Sequence, residues 1–390
     1  MPLLSCLVAV PLAVASIAPA PQSSGCDKCR HEGVLPCKAH AKDGEEPSAE
    51  NPVLFCSWAG QCADCAGVLW IDCPKCEGGP RSAEVEERRK AAATWNARDP
   101  LEKALGRAVG RLETKRFALV VDLDELPDGN KRIDGHALIH RLALDLERTA
   151  SLVAAHFQLA DTDYRAKMRM WIFHDLETHR LAMQNFLGTI STGDFKVLGR
   201  DPVFSVWAEP PHFETAPKVR AVFVHNAAHM LTSNAVEPVW VGDVGGGWLD
   251  AGLGHWYEYE AFGRTVNYCI EEANALVNWE QGQWRAPIRK WLEKESSPLL
   301  PAVFAKRTGA MTTREHALAW SFYDFLVAEH AETLRPLMLG LKKKEPARDL
   351  LKAQLGLDLV AAEQAWRAWV SANYPVQGDK PRAAAAKKSR

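Results

Sequence analysis

The sequence predicts an α+β fold in which a small mixed sheet with helices is followed by a helical C-terminal lobe. Runs rich in β-branched and aromatic residues at 116–123, 168–174 and near 204 predict three strands. They alternate with amphipathic segments at 136–157 and 175–186, whose apolar residues recur at helical spacing. In the last third of the chain the sequence predicts helices at 284–295, 313–330, 332–342, 346–355 and 358–372. Strands mixed with helices, and then helices alone, are typical of the α+β class.

Composition separates five segments along the chain. Residues 1–20 form an apolar run that is interrupted by proline and ends in small residues, which predicts a secretory signal peptide. After it we expect a cysteine-rich domain at 26–79, a linking helical segment at 80–114, the main domain at 115–372 and a flexible basic tail at 373–390. The protein is therefore predicted to be exported, to the periplasm, the cell surface or the medium. A net charge of −2 gives no basic field for nucleic acid, and no later segment is apolar enough for a membrane span.

The cysteine-rich segment has the spacing of metal ligands. Eight of the ten cysteines lie within it, and the step of eight residues from Cys29 to Cys37 recurs from Cys65 to Cys73. A C-x-x-C turn presents two thiolates to one tetrahedral ion, so this repeat predicts two structural zinc sites. The predicted ligands are Cys26, Cys29, Cys37, His40, Cys62, Cys65, Cys73 and Cys76. A disulfide framework is the alternative in an exported protein, and Cys56 remains as a single buried or reactive thiol.

The motifs CADCAG and CPKCEGG resemble the CxxCxGxG repeats of the DnaJ-type zinc domain. This resemblance implies an interleaved arrangement, in which the first and fourth pairs share one ion and the second and third pairs share another. One zinc would be held by Cys26, Cys29, Cys73 and Cys76, and the other by Cys37, His40, Cys62 and Cys65. The sequence departs from the family pattern in using one histidine and in lacking the glycines of the first two repeats.

The main domain contains two histidines four residues apart, in the segment VHNAAHM. This spacing places His225 and His229 on one face of a helix, one turn apart, as two ligands of a single Zn²⁺ would be. A second helix is predicted to begin at GGGWLDAGLGHW. The order of strands and helices, the HxxxH helix and the WLxxGL helix start resemble the gluzincin-type zinc peptidases, in particular the peptidase MA-like group. The resemblance implies a thermolysin-like core over roughly residues 115–372.

The same resemblance implies which residues should perform the chemistry, and two of them are changed. The position of the catalytic glutamate in HExxH holds Asn226, an amide that cannot take a proton from water near neutral pH. The position of the third ligand, the glutamate of W-L-x-E-G, holds Ala251. Asp250 is displaced by about 100° around the helix, and His255 lies one turn further on. We therefore assign no catalytic residue, and a third zinc at the histidine pair requires a rearranged ligand set.

These observations lead to one main hypothesis and two alternatives. The main hypothesis is an exported, catalytically inactive peptidase-like protein that binds a protein or peptide and carries structural zinc in its N-terminal segment. A groove beside a sheet edge would suit an extended ligand. The first alternative is an active zinc-dependent peptidase in which Asp250 or His255 completes the ligand set of His225 and His229. The second is a purely structural surface protein.

Overall fold

The computed structural model describes ten stretches of the chain. They are residues 26–29, 33–39, 52–60, 62–65, 67, 69–75, 83–95, 99–209, 213–272 and 279–376. The predicted signal peptide, the basic tail and two of the predicted zinc ligands, His40 and Cys76, lie outside the described residues.

A six-stranded mixed sheet forms the centre of the described part of the chain. The strands are β1 (Val34–Pro36), β2 (Phe55–Cys56), β3 (Trp70–Asp72), β4 (Gly110–Glu113), β5 (Phe117–Asp122), β6 (Glu125–Asp128), β7 (Lys131–Asp134), β8 (Met168–Phe173), β9 (Phe195–Val197) and β10 (Val203–Trp207). The sheet has the order β2-β4-β5-β8-β10-β9, while β1 pairs with β3 and β6 with β7. Strands β5, β8 and β10 are parallel neighbours, and the other pairs are antiparallel. These three parallel strands are the ones that the sequence predicted.

The central strands are buried on both faces. In β5, Leu119 and Val121 enter the larger apolar core, whereas Val120 between them enters a smaller core on the opposite face. In β8, Met170 joins the larger core and Trp171 the smaller. Because successive side chains of a strand point to opposite faces, a strand covered on both sides is apolar at nearly every position. This apolar composition is the reason that the sequence predicts these strands.

Twelve α-helices cover the sheet and form the C-terminal lobe within the described ranges. They are α1 (Ala83–Trp95), α2 (Pro100–Leu105), α3 (Gly135–Phe157), α4 (Leu176–Ala182), α5 (Ala216–Asn234), α6 (Gly247–Phe262), α7 (Arg285–Leu292), α8 (Leu300–Phe304), α9 (Thr313–Glu329), α10 (Leu334–Lys342), α11 (Ala347–Leu355) and α12 (Leu359–Asn373). Helix α3 packs on α5, α5 on α6, and α6 on α9. The long helix predicted at 136–157 and the five predicted C-terminal helices are confirmed. None of the described helices combines the length and the apolar character needed to cross a membrane.

Capping residues in the sequence explain where several of these helices begin. The Asp134 side chain accepts a hydrogen bond from Ala137 N at the start of α3. Asp358 does the same at the start of α12. Short polar side chains at this position satisfy backbone N–H groups that have no partner inside the helix.

The segment expected to be a helical linker, 80–114, ends in a strand. Strand β4 pairs with both β5 and β2, so it belongs to the central sheet. The sequence did not predict this strand, because it contains polar residues. Arg111 and Glu113 are mostly buried, and each forms an ion pair. The Arg111 guanidinium lies 3.4 Å from the Glu102 carboxylate, and the Lys167 ammonium lies 2.5 Å from that of Glu113.

Several other elements differ from the sequence prediction. The segment LPDGN, which has the composition of a turn, belongs to the hairpin of β6 and β7. The helix predicted at 175–186 ends as α4 at Ala182 and continues as a π-helical turn, Met183–Leu187. Strand β9 and helix α8 were not predicted, because each is too short to show a clear period.

The cysteine-rich segment is joined to the main sheet. Strand β2 lies at the edge next to β4, and Leu54 N donates a 2.7 Å hydrogen bond to Glu113 O. Val53 and Phe55 are buried in the same large core as Leu112 of β4. Residues on both sides of the predicted boundary at 80–114 therefore share one sheet and one core.

Candidate metal centre

Two histidines of α5 form the middle of a fully buried polar cluster. His225 and His229 both have no exposed surface, and their ring centroids lie 4.8 Å apart. Their Nε2 atoms approach each other to 3.1 Å. Two nitrogens bound at ~2.0–2.1 Å to one tetrahedral ion would be separated by about 3.3 Å. The two imidazoles are therefore oriented as a pair of ligands to a single ion.

A third donor comes from Glu272, a residue to which the sequence analysis gave no role. Its Oε2 atom lies 3.1 Å from His225 Nε2, and its Oε1 atom lies 3.8 Å from His229 Nε2. Oε1 is buried without a hydrogen-bond partner among the described residues. A buried carboxylate oxygen that faces two imidazole nitrogens is an arrangement that a metal ion could complete.

Cys269 is the fourth donor of the cluster. One ligand atom from each of His225, His229, Cys269 and Glu272 lies within 4.8 Å of every other. Cys269 N also donates a 2.9 Å hydrogen bond to Glu272 Oε2, which holds the two side chains together. Cys269 is buried, precedes the 3₁₀ turn Ile270–Glu272 and lies outside the α-helices.

Carboxylates orient both imidazoles from the outside. His229 Nδ1 is 2.8 Å from Asp250 Oδ1, and His225 Nδ1 is 3.2 Å from Glu258 Oε2. Asp250 Oδ2 in turn accepts a 2.7 Å hydrogen bond from Thr308 Oγ1. Such partners fix the tautomer of a metal-binding histidine, so that Nε2 is left to bind the ion. Asp250, predicted as a possible rearranged ligand, thus lies on the far side of His229 from the converging Nε2 atoms.

His255 is close to the centre but has other partners. Its Nδ1 atom is 2.8 Å from Thr265 Oγ1, and its Nε2 atom is 3.2 Å from His316 Nδ1. The Glu272 carboxylate lies 3.5 Å from His255 Nε2. His255 therefore touches the third donor, and it also forms a group with His225 and Glu258 whose ligand atoms lie within 4.8 Å of one another. The sequence separation of His255 and His316 does not predict that the two side chains are in contact.

The charges in the cluster balance only if a positive group is present. Burial alone would raise the pKa of Glu272, but His225, His255 and His316 hold it well below its usual range. Burial would lower the pKa of His225, yet Glu272 and Glu258 outweigh it and raise the value to about 9. Burial lowers the pKa of His255 well below its usual range. The positive charge beside the carboxylate can be supplied by a protonated His225 or, in its place, by a divalent ion bound to the two Nε2 atoms.

Asn226, at the position where the peptidases that the sequence resembles carry the general base, is fully buried in a polar network of its own. Asn226 Oδ1 accepts a 2.6 Å hydrogen bond from Lys196 Nζ, and its Nδ2 donates to Val222 O. The Lys196 ammonium also pairs with Glu271 at 2.5 Å. The amide therefore points at a cation, and it offers no group that could accept a proton from water.

A glycine on α6 allows the two helices to approach. A Cβ atom at Gly254 would lie 2.5 Å from His229 Nε2 and 3.2 Å from His225 Cε1. Any larger residue would push the imidazoles away from their present positions, since real Cβ contacts are not that short. Ala251, at the position of the family's third ligand, is fully buried on the same helix. Gly254 lies in the motif WLDAGLGHW, but the sequence alone does not show that a glycine is required there.

Six of the seven described cysteines of the N-terminal segment form two clusters. Cys26, Cys29 and Cys73 make one group, and Cys37, Cys62 and Cys65 make the other; in each, the ligand atoms lie within 4.8 Å. The sulfurs of Cys26 and Cys73 are 3.8 Å apart, and so are those of Cys37 and Cys62. A disulfide would require about 2.05 Å. Two thiolates at ~2.3 Å from one tetrahedral ion lie about 3.8 Å apart, so both groups could hold a metal ion.

The chain matches no protein-family model, and no curated protein matches it. Its function is therefore inferred from the chemistry of the described residues.

Proposed function

We propose that this chain is a non-hydrolytic relative of the gluzincin-type peptidases, exported from the cell, in which a buried zinc ion has a structural role. His225, His229, Cys269 and Glu272 would hold that ion, and the N-terminal clusters would hold two more. The protein would act by binding a protein or peptide in extended form. The observation that carries this proposal is the closed set of four fully enclosed donors around the HxxxH helix.

The number of donors separates a structural zinc from a catalytic one. Structural zinc sites have four protein ligands, whereas catalytic sites have three and leave one position open for water or substrate. A positioned general base contributes a further factor of about 10² to 10⁴ in rate, and Asn226 cannot supply it. A closed ligand set and a missing base both argue against hydrolysis.

The binding site that we propose for an extended ligand is the edge of the sheet formed by β9. Strand β9 is the last strand on its side, and within the described residues it pairs only with β10. Lys196 in the middle of β9 reaches Asn226 of the HxxxH helix, so this edge adjoins the metal centre. An extended peptide could add to such an edge by main-chain hydrogen bonds.

The test combines metal content with proteolysis on the full purified chain. We expect a tightly bound zinc that is lost in His229→Ala and retained in His174→Ala, a control at a half-exposed histidine. Unfolded casein should not be cleaved, with or without a chelator. Hydrogen exchange with casein present should show new protection at Phe195–Val197. Cleavage that a chelator abolishes would overturn the non-hydrolytic proposal, and unchanged exchange at β9 would overturn the proposed groove.

One observation favours an active zinc peptidase as the second candidate. His225, His229 and Glu272 are together a His₂Glu set, which also occurs in catalytic zinc sites. In that case Cys269 would not bind the ion, and the fourth position would be open. Casein cleavage that is lost in Glu272→Gln but kept in Cys269→Ser would support this candidate. The absence of cleavage in both variants and in the wild type would exclude it.

A further inference from the structure

Cys56, which the sequence left as a single thiol, has two histidine neighbours. It is fully buried in β2, next to the first turn of α3. His136 and His140 are four residues apart on that helix, and their ring centroids lie 5.1 Å apart. One ligand atom from each of the three residues lies within 4.8 Å of the other two. A thiol from the sheet and two imidazoles from one helical face therefore converge on a small volume.

Close packing fixes the elements that carry these residues. A Cβ atom at Gly135 would lie 2.2 Å from Leu123 O, so only glycine lets α3 begin this close to the end of β5. The ring of Trp58 stacks on His136 at 5.0 Å with an interplanar angle of 19°. Trp58 itself covers Gly110, where a Cβ atom would meet the indole ring at 1.7 Å. The position of His136 is thus determined by β4, β5 and the turn after β2.

We propose that Cys56, His136 and His140 bind a transition-metal ion of the zinc class, in a site separate from the N-terminal clusters and from the centre at His225. Thiolate and imidazole are the ligands that zinc prefers, and two histidines at i and i+4 present both rings to one ion. This site is independent of the proposed function, since none of its residues belongs to the centre at His225.

The convergence of two imidazoles on one sulfur distinguishes a metal site from a simple thiol–histidine pair. A single histidine suffices to accept a thiol proton, as in nucleophilic cysteine sites. Here both rings hydrogen-bond to Cys56, and these contacts outweigh burial and lower its pKa to about 7. One ring is enough for a proton-accepting pair, whereas one thiolate and two imidazoles supply three of the four ligands of a tetrahedral ion.

Three protein ligands leave one coordination position for water or another small ligand. Trp58, which stacks on His136, also lines a cleft of about 840 Å³ between the N-terminal segment and the ends of β4, β5 and β8. Asp122, Asp124 and Arg107 line the same cleft. The carboxyl ends of parallel strands are a common place for ligands, and Trp58 lies between this cleft and His136 of the proposed site.

The test is zinc content per chain in the full-length protein after saturation with zinc and removal of loosely bound ions. His136→Gln should bind one ion fewer than the wild type, and Cys56→Ser should show the same loss. His174→Ala, at a half-exposed residue that lines the cleft, is the matched control and should lose none. The two variants change different elements, so the result does not depend on Cys56→Ser folding. Near-ultraviolet circular dichroism identifies a folded variant.

Cobalt provides a second measurement, because the absorption spectrum of Co²⁺ depends on the ligands that coordinate it. The wild-type spectrum minus the His136→Gln spectrum, both with Co²⁺, should contain a thiolate-to-cobalt charge-transfer band from a single sulfur. Unchanged zinc content in a folded His136→Gln variant, together with a flat cobalt difference spectrum, would overturn the proposal and leave a thiol–imidazole ion pair.

Discussion

The N-terminal cysteine clusters and the centre at His225 are held in place by different forces. The clusters lie on short strands and turns, and their two-stranded sheet of β1 and β3 is only three residues long. The centre lies between α5 and α6, whose buried side chains already pack a large core. In the first region a metal ion would replace a hydrophobic core, whereas in the second it would neutralise charge inside one. Loss of the ion should therefore unfold the first region locally and weaken the second as a whole.

The largest effect is expected from Cys37→Ser. The free energy of zinc binding in small structural modules is about 10–16 kcal/mol, which is as large as the whole stability of about 5–15 kcal/mol of a typical domain. The variant should lose local structure, so that the amides of Val34 and Leu35 in β1 exchange without protection. The amides of Phe117–Asp122 should stay protected. Hydrogen exchange with mass spectrometry measures both segments at once.

Lys38→Ala is the control for this variant, because Lys38 is exposed and adjacent to Cys37. It should leave exchange in both segments unchanged. Retained protection at Val34 and Leu35 in Cys37→Ser would mean that packing against β2 and the main core, rather than an ion, holds the N-terminal segment.

Glu272→Gln should have the next largest effect. It removes the carboxylate that faces His225, His255 and His316, so that Glu258 is the carboxylate that remains beside His225. Breaking a buried charge pair by removing one partner costs about 3–5 kcal/mol. Urea unfolding should show this loss for the whole domain in one cooperative transition.

The matched control is Glu280→Gln, the same chemical change at an exposed turn residue, which should alter stability by less than about 0.5 kcal/mol. If Glu272→Gln instead caused only local exchange around Cys269 and left global stability intact, the two regions would respond alike. The distinction between an ion that replaces a core and one that neutralises charge would then fail.

His179 contrasts with His225, because it is buried without a carboxylate partner among the described residues. Its Nδ1 atom is 2.9 Å from Ser205 Oγ, and burial lowers its pKa to about 4, in contrast to the raised pKa of His225. The neutral form is favoured in the folded protein, so its contribution is complete above the unfolded value near 6.5 and is lost as pH falls through 4. The loss amounts to about 3 kcal/mol over this interval.

His179→Gln should flatten the fall in unfolding free energy between pH 6.5 and 4, measured by urea titration at each pH. His174→Gln, at the half-exposed histidine, is the comparison variant and should keep the wild-type slope. An unchanged slope in His179→Gln would show that other groups cause the acid sensitivity.

The parts of the structure that could be predicted are those encoded by neighbouring residues. The C-x-x-C turns, the HxxxH helix and the apolar strands β5, β8 and β10 each have a short-range pattern. The structure contains the helix and the three strands where the sequence predicts them. Glu272 lies 47 residues from His225 and carries no motif, so its role follows only from how α6 and the turn after it fold back. His136 and His140 looked like ordinary helix residues for the same reason. Strand β4 was missed because buried ion pairs gave it a polar sequence.

The smallest effect is expected from Thr312→Ala at the start of α9, the helix that packs on α6. Thr312 Oγ1 accepts from Glu315 N at 3.4 Å, while Glu315 Oε2 accepts from Thr312 N at 2.8 Å. Loss of such a cap costs about 1 kcal/mol, and Thr312→Ser, which keeps the hydroxyl, should lose much less. Both are measured by urea unfolding. Because the core around α6 forms without help from the ion, zinc content should equal that of the wild type in both variants. A loss of zinc in Thr312→Ala would mean that the centre and the helical lobe depend on each other, which would make the second region as metal-dependent as the first.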